Sequence, residues 1–291
     1  MASSLGIVRA PAVADTAFMI SWMRSSNPQL SQDHWGHLWT TDVAKEIGAA
    51  YAEVTGPLNV RACCLRHRFF SETALAFERV HKNMALVNIG AGFTSYPFLL
   101  GREHLSIEID LPPIIEFRQQ RIRELVSAGK IPERNIEFVS LDLESSTVKD
   151  ELAALFRKLI VQRPTLVIME GLLYYLTERA VNHLFATLSA ELVPGDRIAT
   201  VAWAGDLRQT TMFQNIDRYF QVRLGRPPQH YTFLGRPYFE SRPGLRLVEE
   251  LSYPVVESRY AEEQELTPRS YLDERMYVLE RLAQDDQVGP I

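Results

Sequence analysis

The stretch Leu86-Val87-Asn88-Ile89-Gly90-Ala91-Gly92-Phe93-Thr94-Ser95-Tyr96 constrains this chain most. Four strand-forming residues run straight into Gly-x-Gly, and the apolar segment from Tyr96 to Leu100 can then open a helix. Glycine takes positive φ without steric cost, and its missing Cβ lets a ligand approach the backbone. In an open α/β sheet such a turn lies at the carboxyl end of the first strand, where ligands bind and helix amides point at them. A plain strand-to-helix connection with two glycines would read the same way.

The next stretch separates the two readings. Leu105-Ser106-Ile107-Glu108-Ile109-Asp110-Leu111-Pro112 is a second buried strand ending in carboxylates, and Asp110 follows Gly90 by 20 positions. An acid at that distance is where ribose hydroxyls are held. A dinucleotide fingerprint wants a third glycine three positions after the second, so that helix and strand can close behind a pyrophosphate. That position is Ser95. The pattern favours an adenosine ligand without a pyrophosphate and argues against NAD.

Taken together, Asn88 to Leu100, Ile107 to Pro112, Leu141-Asp142-Leu143 and Glu170-Gly171-Leu172-Leu173-Tyr174-Tyr175-Leu176 resemble the leucine carboxyl methyltransferase family, nearest its tetracenomycin-type polyketide O-methyltransferases. Counterparts of the family motifs run in order from about Asp33 to Trp203. The resemblance implies a class I methyltransferase fold: a seven-stranded, mostly parallel, Rossmann-like α/β sheet with helices on both faces. It implies S-adenosyl-L-methionine as cofactor, S-adenosyl-L-homocysteine as product, and a helical lid over residues 1–80 on a core of 81–291, one structural domain overall.

The resemblance also implies site residues. Gly90, Ala91 and Gly92 cradle the cofactor, and Glu108 and Asp110 stand at the ribose strand. Asp142 meets the adenine amino group beside the Leu143 amide. Arg66 pairs with the methionine carboxylate. Glu170, next to Gly171, takes its ammonium, and removing either charge is expected to weaken binding without lowering stability. Leu172 to Tyr175 face the acceptor, with Tyr174, Tyr175 and His230 as substrate-side candidates.

Two motifs depart from the family. Arg66-His67-Arg68-Phe69-Phe70 ends in Ser71 where the family has Asp, and Thr94-Ser95-Tyr96 replaces Asp-Thr-Arg. The expected reaction is O-methylation of a small-molecule carboxylate or phenol in secondary metabolism. A protein carboxyl terminus fits less well. The departures keep a second reading open, a cofactor-binding protein that steers a rearrangement without methylating. A carboxylate acceptor is favoured, because it is ionised at neutral pH whereas a phenol wants a base. His34, His37 and His230 are the only histidines near plausible lid or pocket segments.

Bulk properties agree with this. Apolar residues make up 46% and charged residues 23%, ordinary values for a globular domain, and the net charge of −5 offers no basic footprint for nucleic acid. No run reaches membrane-spanning length. The opening residues lack a leader pattern, and adjacent Cys63 and Cys64 rarely reach disulfide geometry, so a reducing cytoplasm is expected. Asp33-His34-Trp35-Gly36-His37 could suggest a metal, but no further ligand cluster completes a sphere, and none is expected. Oligomeric state is not legible.

Along the chain, helices are expected over Val13–Arg24, Thr41–Thr55, Arg61–Val80, Leu111–Gly129, Val148–Val161 and Thr177–Leu192. Strands are expected over Ile136–Leu141, Thr165–Met169, Arg197–Ala202, Leu245–Tyr253 and Arg275–Leu282. Ser25–Ser31 reads as a loop, Gly205–Gln229 as helical and then irregular. The first dozen residues and the tail from Gln284 are expected to be loose.

Overall fold

The computed structural model describes residues 12–160, 163–223 and 231–283. The expectations for the first eleven residues, for Val161, for the segment before His230 and for the tail lie outside them.

Among the described residues seven strands form one sheet: β1 (Ala85–Ile89), β2 (Leu105–Asp110), β3 (Asn135–Ser140), β4 (Thr165–Met169), β5 (Arg197–Trp203), β6 (Leu245–Ser252) and β7 (Glu274–Arg281). Their order is β3-β2-β1-β4-β5-β7-β6. β1 pairs in parallel with β2 and β4, β2 with β3, and β4 with β5, whereas β7 runs antiparallel to both β5 and β6. This is the class I methyltransferase fold that the motifs imply. Every residue of β1 and of β4 is buried, as expected for central parallel strands covered on both faces.

Among the described residues twelve α-helices surround the sheet: α1 (Ala12–Ser26), α2 (Pro28–Ser31), α3 (Gly36–Trp39), α4 (Asp42–Thr55), α5 (Pro57–Val80), α6 (Tyr96–Leu99), α7 (Pro112–Ser127), α8 (Val148–Leu159), α9 (Glu178–Glu191), α10 (Thr211–Arg223), α11 (Arg236–Glu240) and α12 (Tyr253–Tyr260). Alternation along β1 divides the core. Ala85, Val87 and Ile89 face α8 and α9, where Leu152, Phe156, Leu184 and Phe185 pack. Leu86 faces Leu65, Phe69, Phe70 and Phe77 of α5. Thus α5, placed with the lid from sequence, packs directly on the sheet. No described helix is long and apolar enough to cross a membrane.

Several boundaries differ from expectation for local reasons. Gly56, at φ +82°, separates α4 from α5, and Pro57 opens α5, where a missing N–H costs nothing. Pro28 likewise starts the short α2 inside the expected loop, with the Asn27 side chain accepting from Leu30 N at 3.1 Å. Tyr253, read as strand, begins α12 because Pro254 follows it. Helix α1 shows buried positions all round rather than a single apolar stripe, because it packs against α3, α4 and α5 at once.

Candidate active site

Parallel β1, β4 and β5 end at the same edge of the sheet, the edge at which ligands bind in this architecture. Gly90, Gly171 and Trp203 therefore come together there. Antiparallel β7 starts at that edge, with Glu274 opposite Trp203. Helices α1, α4, α5 and α10 close over it and leave one continuous cleft enclosing about 130 Å³.

One end is the glycine turn. Gly90, Gly92 and Gly171 have φ of +72°, +47° and +68°, a region that L side chains avoid. A Cβ on Gly90 would stand 3.0 Å from the Leu172 side chain. Asp110 accepts from Gly92 N at 2.8 Å through Oδ2 and from Leu111 N at 2.7 Å through Oδ1. Burial raises its carboxyl above the usual range, opposed by those two amides. The amides of Gly90 and Ala91 both donate to Ile109 O, and α6 has only four residues. The turn's N–H groups are thus used internally instead of pointing at a ligand. That suits a nucleoside without phosphate at this point.

Glu108 does not line the cleft. It is buried beneath the turn, where Oε2 lies 2.6 Å from Arg118 Nη2. Arg118 donates in turn to Gly92 O at 3.1 Å and Thr94 O at 2.8 Å. Glu108 therefore reaches the turn through Arg118 and through the Asn88 amide, which donates to it and to the Thr94 hydroxyl, a correction to its reading as a cofactor contact: its side of β2 faces α7. Asp142 and Leu143 also lie off the cleft. The Asp142 carboxylate accepts from Glu144 N at 2.9 Å in its own loop, and Leu143 is in the main core. The preceding backbone ties their loop to the tip of β2, where Leu141 N donates to Asp110 O at 2.9 Å.

The middle of the cleft is a buried chain of charges. Arg66 donates to Glu170 Oε1 at 3.0 Å and to Glu274 Oε2 at 2.7 Å. His67 Nδ1 lies 3.2 Å from Glu170 Oε2, which also accepts from the Tyr96 hydroxyl. On its other side His67 Nε2 is 3.6 Å from Asp33 Oδ2, and Asp33 pairs with Arg24 Nε at 3.0 Å. Arg24 also donates to Phe93 O at 2.8 Å. Burial works against the Arg66 charge, but the carboxylates of Glu274 and Glu170 outweigh it and hold the guanidinium firmly cationic. Burial would raise Glu170, yet the His67 hydrogen bond and the Arg66 charge hold it well below the carboxylate range.

This chain joins the lid to the sheet, and most of it was not read from sequence. Asp33 was weighed only as a metal ligand, while Arg24, His67, Tyr96 and Glu274 were not singled out. His67 sits within the Arg66–Arg68 motif and could have been noticed there. Glu274 follows no motif. The tyrosine at position 96, where the family has arginine, places a hydroxyl against Glu170. The buried Ser71 hydroxyl finds no partner among the described residues. Among the described residues no cluster could hold a metal.

The far end is aromatic. Tyr174 and Tyr175, in a 3-10 turn (Leu173–Tyr175), both line the cleft. Tyr174 stacks on Trp203 with centroids 3.9 Å apart and planes 8° apart. Phe213 and Tyr231 pack on the same indole. Burial and then Glu274 raise the Tyr174 hydroxyl well above its usual range, so it stays protonated. Tyr238 and Phe239 lie away from the cleft: Phe239 is in the core against Tyr277. His230 lies outside the described residues.

The leucine carboxyl methyltransferase family model matches residues 22–189. The chain belongs to that family. It is 27% identical over 205 residues to a candidate S-adenosyl-L-methionine-dependent methyltransferase of Mycolicibacterium paratuberculosis, covering 65% of this chain and 73% of that protein. A like-named protein of Mycobacterium ulcerans is 29% identical over 142 residues, 48% of this chain and 42% of its own length. Two solved structures share the fold: a candidate methyltransferase of Thermobifida fusca (TM-score 0.64, 13% identity, covering 96% of this chain and 100% of that one), and a DUF574 family protein of Streptomyces avermitilis (TM-score 0.63, 14% identity, 91% and 97%).

S-adenosyl-L-methionine is the cofactor of this class, and the residues present fit it. The glycine cradle has no room for a Cβ at Gly90. Asp110 supplies the carboxylate a ribose diol needs. Arg66 and Arg24 supply guanidinium groups for a carboxylate, and Glu170 an acceptor for an ammonium.

Proposed function

We propose that this family member transfers a methyl group from S-adenosyl-L-methionine to an oxygen of a small-molecule acceptor, a carboxylate or a hydroxyl, in the cytoplasm and in secondary metabolism. The observation behind this reading is the cleft's gradation: a nucleoside end at Gly90–Gly92 and Asp110, a charged middle at Arg66 and Glu170, and an aromatic end at Tyr174 and Trp203. Such an end suits an apolar ring system rather than a flexible peptide terminus.

When bound, the cofactor supplies an electrophilic methyl whose departure leaves S-adenosyl-L-homocysteine. The protein's own contribution is position and a dry site. Asp110 orients the ribose, Arg66 and Arg24 the amino-acid end, and Tyr174 and Trp203 the plane of the acceptor. Calorimetric titration with S-adenosyl-L-homocysteine and NAD tests the first step; NAD binding without response to the sulfur nucleoside would overturn it. Mass-spectrometric detection of S-adenosyl-L-homocysteine released with acceptor tests the second. A protein that binds the cofactor and rearranges its substrate without that release would be the non-methylating reading, which the departures at Ser71 and Thr94–Tyr96 keep in view.

A further inference from the structure

The acceptor end of the cleft carries a carboxylate, Glu274, and, among the described residues lining it, no cation that is not already engaged. Strands lie about 4.8 Å apart, so the tip of β7, three positions from β1, stands roughly 14 Å beyond the glycine turn. That is past the nucleoside end and beside Tyr174 and Trp203. Glu274 is 2% exposed and lines the cleft. Its Oε2 is filled by Arg66 Nη1 at 2.7 Å and the Tyr253 hydroxyl at 2.5 Å. Its Oε1 accepts one hydrogen bond among the described residues, from Trp203 Nε1 at 2.9 Å, and a carboxylate oxygen has room for two.

From this, and resting on the methyl-transfer reading above, we infer that the acceptor is an aromatic compound presenting a neutral hydroxyl, and that Glu274 Oε1 receives that hydroxyl's hydrogen bond. Charge balance points the same way. Among the described lining residues Arg24 is already matched by Asp33 just off the cleft, which leaves Arg66 against Asp110, Glu170 and Glu274. The bound cofactor, with sulfonium, ammonium and carboxylate, adds one net positive charge and does not reverse that excess of negative charge. A neutral acceptor adds nothing to it. A carboxylate acceptor would bring an unmatched negative charge against Glu274 in a site screened from water, where like charges repel strongly. An amine would be held by Glu274 as its ammonium and lose its nucleophilic pair.

The step balances with groups already in place. The hydroxyl oxygen forms the new bond to the methyl carbon, the carbon–sulfur bond leaves its pair on sulfur, and the hydroxyl proton passes to Glu274 and then to solvent. This departs from the carboxylate acceptor favoured by sequence, which was weighed without a base in the cleft.

The test uses the full chain saturated with S-adenosyl-L-homocysteine at pH 7. It is titrated by calorimetry with 2-naphthol and 2-naphthoate. Naphthol is expected to bind at least about tenfold more tightly than naphthoate, and Glu274→Gln to narrow the difference to about threefold by relieving the penalty on the anion. Tighter binding of naphthoate, or no binding of either probe, overturns the inference, as does an unchanged preference in a folded Glu274→Gln protein. Should that variant not fold, the preference of the unmodified chain decides by itself. Failure to bind S-adenosyl-L-homocysteine at the outset counts against the methyltransferase reading instead.

Discussion

Asp110 Oδ2 accepts the backbone N–H of Gly92 at 2.8 Å, so the two halves of the sequence signature meet in one hydrogen bond. The carboxylate that would hold a ribose also holds the turn. Asp110→Ala should therefore weaken S-adenosyl-L-homocysteine binding by about 1.5–3 kcal/mol for the lost charged hydrogen bonds. Asp110→Asn can still accept from Gly92 and should lose less. Calorimetry on both variants checks this; equal losses would mean that the turn does not depend on this bond.

Arg66 sits between Glu170 and Glu274, with both partners buried. Its removal would strand two carboxylates, a defect worth about 3–5 kcal/mol. The sequence-based expectation of weaker cofactor binding at unchanged stability therefore gives way. Arg66→Ala should lower both the melting temperature of the ligand-free protein and its affinity for S-adenosyl-L-homocysteine. Thermal denaturation without ligand settles the first point, and an unaltered melting temperature would contradict the network.

Arg24 and Asp33 form a buried lid pair, and Arg24 lines the cleft while Asp33 does not. Arg24→Met alone leaves Asp33 uncompensated and should destabilise the chain. The double variant Arg24→Met/Asp33→Asn removes both charges and should recover much of that stability. Cofactor affinity should stay low in both, because the guanidinium is absent from each. Recovery of affinity together with stability would show that Arg24 has no part in binding.

Acid should act through Glu170. Its folded-state pKa is depressed, so its contribution is complete above the unfolded value of about 4.5 and is lost as pH falls below that. Asp196 acts with opposite sign. Burial raises it to about 6, so the folded form gains stability as pH falls through 6 toward the unfolded value of about 3.8. Melting temperatures measured from pH 3 to 8 should show a steep acid limb below about 4.5 that is shallower in Glu170→Gln. An identical limb in both proteins would place the acid sensitivity elsewhere.

The sequence by itself determined the sheet and the glycine turn with its carboxylate. Buried strands, glycines at a strand end and an acid 20 positions on are local patterns, and each follows from backbone sterics or from the period of a strand. The helix starts at Asp42 and Glu178 were legible for the same reason, through the Thr41 and Thr177 caps. The tertiary structure alone decided the charged middle and the acceptor wall. Arg24, Asp33, His67, Glu170 and Glu274 are separated by up to 250 positions, and no local pattern records that they meet. Their meeting depends on α5 packing against the sheet and on β7 running antiparallel, so that its first residue lands beside the last residue of β5. The same dependence moved Glu108 out of the site. Its strand position was legible, but only the packing of α7 revealed that its side chain serves Arg118 beneath the turn, because burying that carboxylate requires a cation within reach.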